Sequence, residues 1–301
     1  MRRGIVLFIT LAILLLLSSI IFLFLHQSDL LKKSVRTNID TIQTNLLLSD
    51  MSHFLKVQNF TQEDIFYGSG IPVSLDLGSL SGTITLSSAR NRININAYLA
   101  SIIENQEALQ SFLQWMESHH IKEPTLLLAL LLDTYDTDLY ERQSGSELKN
   151  SYPWFQNGSI ANQRAMQMIL ESYQALSGDD NVTLDSWEET FGYEGSLLDL
   201  NYATTEQLQL LYPNISPATI ATLSAHQTYY SKVDDIPIDE ADKATLLEPH
   251  FGITPVLETD TIDVRITFNS AQECHGSLGF WMGIKSDKTI THLTLSPITC
   301  E

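Results

Sequence analysis

Met1-Arg2-Arg3-Gly4 opens the chain, and Ile5-Val6-Leu7-Phe8-Ile9-Thr10-Leu11-Ala12-Ile13-Leu14-Leu15-Leu16-Leu17-Ser18-Ser19-Ile20-Ile21-Phe22-Leu23-Phe24-Leu25 follows without a single charge. As a helix, such a run is long enough to cross a hydrocarbon core of ~30 Å. Arg2 and Arg3 keep the short N-terminal end on the cytoplasmic side and send the remainder across. Between Ser18 and His26 there is no small-x-small site at which a secretory signal would be cut.

From Ile5 to Tyr67 there is neither Gly nor Pro, so nothing in the sequence breaks a helix where the apolar run ends. Beyond Leu25 the pattern becomes one-sided. Leu31, Val35, Ile39, Ile42 and Leu46 recur at helical spacing, with Lys32, Lys33, Arg36 and Asn38 on the other faces. The expectation is one helix over about 5–56, roughly 75 Å long at about 1.5 Å per residue. Its first half would lie in lipid, and its second half would lay an apolar stripe on a folded domain.

The 301 residues leave room beyond that helix for one large domain or two modest ones. Apolar residues make up 44% and aromatics 9%, as in a globular chain. The formal net charge of −19 repels nucleic acid and anionic lipid and tolerates hard cations. Two cysteines occur, Cys274 and Cys300. On the oxidising side of a membrane, one disulfide is the usual outcome for such a pair, with two free thiols as the alternative.

Periodicity orders the rest. Ile71–Leu77 and Thr83–Ser87 alternate on either side of a Gly-bounded turn and predict a hairpin. Asn91–Asn96 is a third alternating piece, in which Asn96 is placed to cap the next helix. From Ala97 to about Glu248 the signal is helical: Leu99 to Met116, Leu126 to Leu132 behind Pro124, and Ile160 to Leu176 stopped by Gly178. Thr204 and Gln207 have capping-box spacing. Past Thr254-Pro255 the β-branched alternating stretches Thr261–Phe268, His275–Ile284 and Thr289–Leu295 predict strands. Strands before and after a helical block would pair in one antiparallel sheet, giving an α+β fold.

A basic leader ending in Gly, an apolar helix and an amphipathic continuation resemble a type IV pilin or type II secretion pseudopilin. The Leu132-Asp133 helix end, the loop with Asp136 and Asp138, Gly145-Ser146-Glu147, Tyr152 and Asn162 are similar to the K-type minor pseudopilin. The resemblance implies a long N-terminal helix packed on a small antiparallel sheet with a large all-α insertion. It divides the chain into a leader (1–4), a membrane helix (5–25), a pilin-like helix and first strands (26–96), an inserted helical domain (97–256, in halves 97–195 and 196–256) and closing strands (257–301). A prepilin peptidase would cut after Gly4 and leave Ile5 as a methylated N-terminus. Most members carry Glu at the fifth mature position; here it is Ile9. Absence of that acid is what the tip subunit looks like. The implied role is a non-enzymatic subunit in the inner membrane with its bulk in the periplasm. There it would start pseudopilus assembly with I- and J-type minor pseudopilins and the major pseudopilin, in support of protein secretion.

The same loop suggests Ca²⁺, which takes about six to eight oxygen ligands. Asp136, Asp138 and Glu147 are the candidates, Asp133 a helix-end brace, and a solvated acidic loop the alternative. Asp179, Asp180 and Asp185 are a second candidate cation loop, for which a solvated acidic loop is the favoured reading. Leu198–Leu223 resembles a helix-hairpin-helix. Its turn, Pro213-Asn214-Ile215-Ser216, lacks glycine, and Lys232 stands among Asp234, Asp235, Asp239 and Glu240, so packing suits it better than phosphate binding. The other functional readings are a membrane-anchored DNA receptor of competence type using that hairpin, another pilin-like minor pilin, and a tethered hydrolase. No Gly-x-Ser-x-Gly, phosphate loop or metal-spaced histidines support catalysis, and His119-His120 reads as a wet helix end.

Overall fold

The computed structural model describes residues 60–68, 80–270, 274–283 and 290–300, together with Ser49, His53 and Val57. The chain divides into two units, Met1–Asn59 and Phe60–Glu301. In the first, Ser49, His53 and Val57 are helical and exposed. Gly4, Ile5 and the expected membrane helix lie outside the described residues, as does the Ile71–Leu77 half of the expected hairpin. Among the described residues no helix is long and apolar enough to cross a membrane.

The second unit opens with a short helix, α1 (Gln62–Tyr67), whose Thr61 and Asp64 form a capping box. The strand β1 (Leu80–Ser88) follows. Its partner comes from far away: β6 (Thr261–Ser270) pairs with it antiparallel, and β7 (Cys274–Gly283) and β8 (Ile290–Cys300) extend the sheet in the order β1-β6-β7-β8. Alternation decides which face is hidden. Ile84, Leu86, Ile262, Val264, Ile266, Phe280 and Met282 are buried, while Thr85, Arg265 and Thr267 are exposed. Strands from both ends of the domain thus close one sheet, as expected from the sequence.

Everything between β1 and β6 is the helical insert. It runs β2 (Ile93–Asn94), α2 (Ile95–Glu104), α3 (Gln106–Ser118), α4 (Pro124–Tyr135), α5 (Leu148–Ser151), α6 (Gln163–Ser177), α7 (Leu184–Thr190), β3 (Phe191–Gly192), β4 (Leu197–Asp199), α8 (Thr205–Leu211), α9 (Pro217–Ser224), α10 (Glu240–Leu247) and β5 (Thr254–Val256). Polar side chains set the helix boundaries. Asn105 ends α2 and caps α3, its Oδ1 accepting from the amide of Glu107 at 2.8 Å. Gly178 closes α6 at φ 65°, a left-handed turn that glycine adopts without strain. The Asn96 expectation needs correction. Asn94 is the cap of α2, and Asn96 lies one residue inside the helix, where its amide accepts from Ile160 N at 2.7 Å and donates to Ile160 O at 3.0 Å. The Asn91–Asn96 stretch forms only the two-residue β2, parallel to β3.

One apolar core fills the insert. Phe112 and Trp115 stack with ring centroids 5.9 Å apart, and Trp187 and Phe191 meet them edge-on. Burying each of these rings is worth roughly 2–3 kcal/mol. Of the His119-His120 pair at the end of α3, His120 is exposed and His119 is half-buried, its ring centroid 4.2 Å from that of Trp115.

Candidate functional site

The acidic loop is built on the end of α4. Asp133, in its last turn, is fully buried. One of its carboxylate oxygens accepts from the Arg142 guanidinium. The other accepts from Arg142 N at 2.9 Å and from the Ser146 hydroxyl. Arg142 also binds Asp136. Burial works against the Arg142 charge, but the hydrogen bonds it donates to Asp133 and Asp136 outweigh it and hold the guanidinium above its ordinary range. Glu147 is buried as well. It caps α5 through Lys149 N at 3.0 Å, and both its oxygens accept from Asn157 Nδ2 at 3.0 Å. Asn157 Nδ2 also reaches the Asp138 carbonyl at 2.9 Å. The Asp138 carboxylate is exposed and accepts from Tyr140 N.

The three expected calcium ligands therefore go to different partners. Asp136 faces Arg142, Glu147 faces Asn157, and Asp138 points to solvent. Among the described residues no three His, Cys, Asp or Glu side chains converge on a point that could hold a metal ion. Asp133 is the brace at the helix end, and Arg142, which the sequence reading did not single out, is the cation that gathers the loop.

The second acidic loop is structural. Asp179, with no exposed surface, accepts from Lys122 N at 2.7 Å, Tyr173 OH at 2.7 Å and Asn181 N at 3.1 Å.

In the hairpin, Leu198, Leu200, Leu208, Leu211, Tyr212, Ile215 and Leu223 are all buried, so the segment is part of the core. Thr204 and Gln207 form the expected capping box. The N-terminus of α9 is where a helix-hairpin-helix would offer amides to a phosphate. Here the Asp242 carboxylate accepts from the hydroxyls of Ser216 at 2.6 Å and Thr219 at 2.5 Å. Those hydrogen bonds, led by Ser216, hold Asp242 below the usual carboxylate range. The chain's own anion fills that position, a device invisible in the sequence because Asp242 lies on α10.

In the sheet, Cys274 and Cys300 are register partners on adjacent antiparallel strands.

Comparison with solved structures finds a chain of the GspK-GspI-GspJ complex from the enterotoxigenic Escherichia coli type 2 secretion system. The match covers 85% of this chain and 96% of that one, with a TM-score of 0.54 and 13% identity. The two share a fold. The resemblance read from the sequence is borne out at that level, including the helical block set inside a pilin-like sheet. No family model matches the chain, and no curated protein does either.

Proposed function

We propose that this chain is a K-type minor pseudopilin of a type II secretion system. In this reading it sits at the tip of the pseudopilus and assembles with I- and J-type minor pseudopilins above the major pseudopilin. The observation that carries the proposal is the insertion of the whole helical block between β1 and β6 of a four-stranded sheet, an architecture shared over 96% of the compared chain. That chain was solved in a complex with its I and J counterparts. Ile9, in place of the acid that would receive a neighbouring N-terminus, supports the uppermost position. The proposal includes cleavage after Gly4 by a prepilin peptidase, methylation of Ile5, and anchoring of 5–25 in the inner membrane with the remainder in the periplasm. Replacing Gly4 with a bulky residue tests it by immunoblot: the variant should run uncut, and normal trimming would contradict the assignment.

Two narrower proposals belong to the same reading. Cys274 and Cys300 form a disulfide: directly opposed residues of an antiparallel pair lie ~4.5–5.5 Å apart at Cα, within reach of the bond. Thiol titration of the unreduced, unfolded chain should find none; two titratable thiols would refute the bond. The other is a calcium ion at the 133–157 loop, supported by two buried oxygens without a hydrogen bond, Asp136 Oδ1 and Asn157 Oδ1. Binding there would draw Asp136 away from Arg142. A melting midpoint that rises with calcium and falls back on chelation supports it, and an unchanged midpoint contradicts it.

A competence-type DNA receptor is disfavoured by Asp242 at the helix terminus and by the net charge of −19.

A further inference from the structure

The helical insert is joined to the sheet at one seam. The chain leaves β1 at Ser88, passes through Arg90, and returns by way of β5, Leu257 and Thr259 to β6. One short segment, Asp199–Asn201, holds both crossings. Asp199 N donates to Arg90 O at 2.7 Å, and Leu200 N donates to Val256 O at 2.8 Å. Asn201 Nδ2 donates to Leu257 O at 2.9 Å. The ladder of β4 along β5 places Asp199 opposite Val256.

At the centre of this seam lies a carboxyl group with 1% of its surface exposed. It borders a cleft lined by Gln62, Ser88, Tyr202, Tyr229, Thr259 and Ile262, with a void of about 10 Å³, room for roughly one water. Its hydrogen bonds come from the Ser88 side chain and from Asn201, whose amide N donates at 3.1 Å. Among the described residues no Lys, Arg or His forms an ion pair with it. Among the described residues no positive charge acts on the carboxyl. Tyr202 and Tyr229 stand beside it, and Glu63 of α1 and Glu258 of the returning strand act on Tyr229. Arg90 meets Asp199 through its carbonyl, and its guanidinium lies 5.5 Å over the Trp281 ring.

We propose that Asp199 is a proton-operated latch: protonated, it closes the seam between insert and sheet, and ionised, it loosens that seam. Burying a carboxylate is costly unless donors or water replace its hydration, and here Ser88 and Asn201 stand alone in a cleft with almost no solvent. Burial pushes the Asp199 carboxyl up to about 7, against the opposing hydrogen bonds of Ser88 and Asn201. Burial also pushes Tyr229 up to about 12 and Tyr202 upward, so both stay neutral while Asp199 titrates. The latch opens when the proton leaves to solvent and the remaining charge draws water into the crossing.

Amide hydrogen exchange of the full-length chain in detergent tests this from about pH 5 to pH 9. Rates at residues 89–91, 197–201 and 254–261 are divided by their intrinsic values at each pH. Wild-type protection at the seam should fall roughly tenfold per unit up to about pH 7 and then level off, with α6 showing no such break. Asp199→Asn should hold its seam protection across the range. A flat wild-type profile, or an equal fall in Asp199→Asn, would overturn the proposal. Ser88→Ala decides the matter if the first variant misfolds. Losing a bond that favours the ionised form should raise the pH at which protection levels off, and an unmoved break would count against the latch.

Discussion

Asp179 and Asp199 are equally hidden, at 0% and 1% exposed, yet their carboxyls titrate in opposite directions. Burial acts first on both, pushing the pKa up. At Asp179 it is outweighed by the Lys122 amide, the Tyr173 hydroxyl, the Asn181 amide and the Lys122 charge, and the group settles below the usual carboxylate range. At Asp199 burial outweighs the hydrogen bonds of Ser88 and Asn201, and the group rises to about 7. Three hydrogen bonds oppose burial at each acid, so the difference lies in how deeply the surrounding protein encloses the carboxyl and in the Lys122 charge, which Asp179 alone has.

The linkage signs differ accordingly. The depressed Asp179 adds stability that is present above its unfolded value of 3.8 and lost as the pH falls through its folded value. The raised Asp199 does the reverse: stability is greatest below 3.8 and declines as the pH climbs to about 7.

The sharpest way to break the contrast is Asp179→Ala. It strands the Tyr173 hydroxyl and the amides of Lys122 and Asn181, and should cost about 3 kcal/mol in urea unfolding at pH 7. A loss below ~1 kcal/mol would mean that these donors do not outweigh burial at Asp179. Tyr173→Phe sharpens it further, because the hydroxyl donates to Asp179 and accepts from Glu123 N at 3.1 Å. The expected loss is roughly 1–2 kcal/mol, with the acid limb of the stability profile moving to higher pH. Lys122→Gln is the smallest step. The ammonium is 59% exposed and 3.8 Å from the carboxylate, so the change should stay below ~1 kcal/mol and vanish in high salt. A larger effect would move the credit from the amides to the ion pair.

The sequence made the framework readable wherever the signal was local. Helical spacing located α3, α4 and α6, Gly178 gave a stop, Thr204 with Gln207 gave a start, and the alternating strands at both ends announced a shared sheet. What it concealed depends on partners distant in the chain. Asn94 and Asn96 look alike as caps until Ile160, 64 residues away, claims the second. Asp242 is unremarkable until it meets Ser216, and Arg142 until it bridges Asp133 and Asp136. The three proposed calcium ligands share a loop in sequence, and spacing along a turn-rich segment does not fix which partner each carboxylate takes: Arg142 for Asp136, Asn157 for Glu147 and Tyr140 N for Asp138.

The claim on which the account turns is that the inserted helical block rides on a pilin-like domain built to join two smaller minor pseudopilins. Co-expression of residues 26–301 alongside I- and J-type partners from the same system tests it directly, by size-exclusion chromatography with multi-angle light scattering. The account predicts one stable assembly containing all three chains. Elution of this chain alone, while the two partners pair without it, would contradict the account.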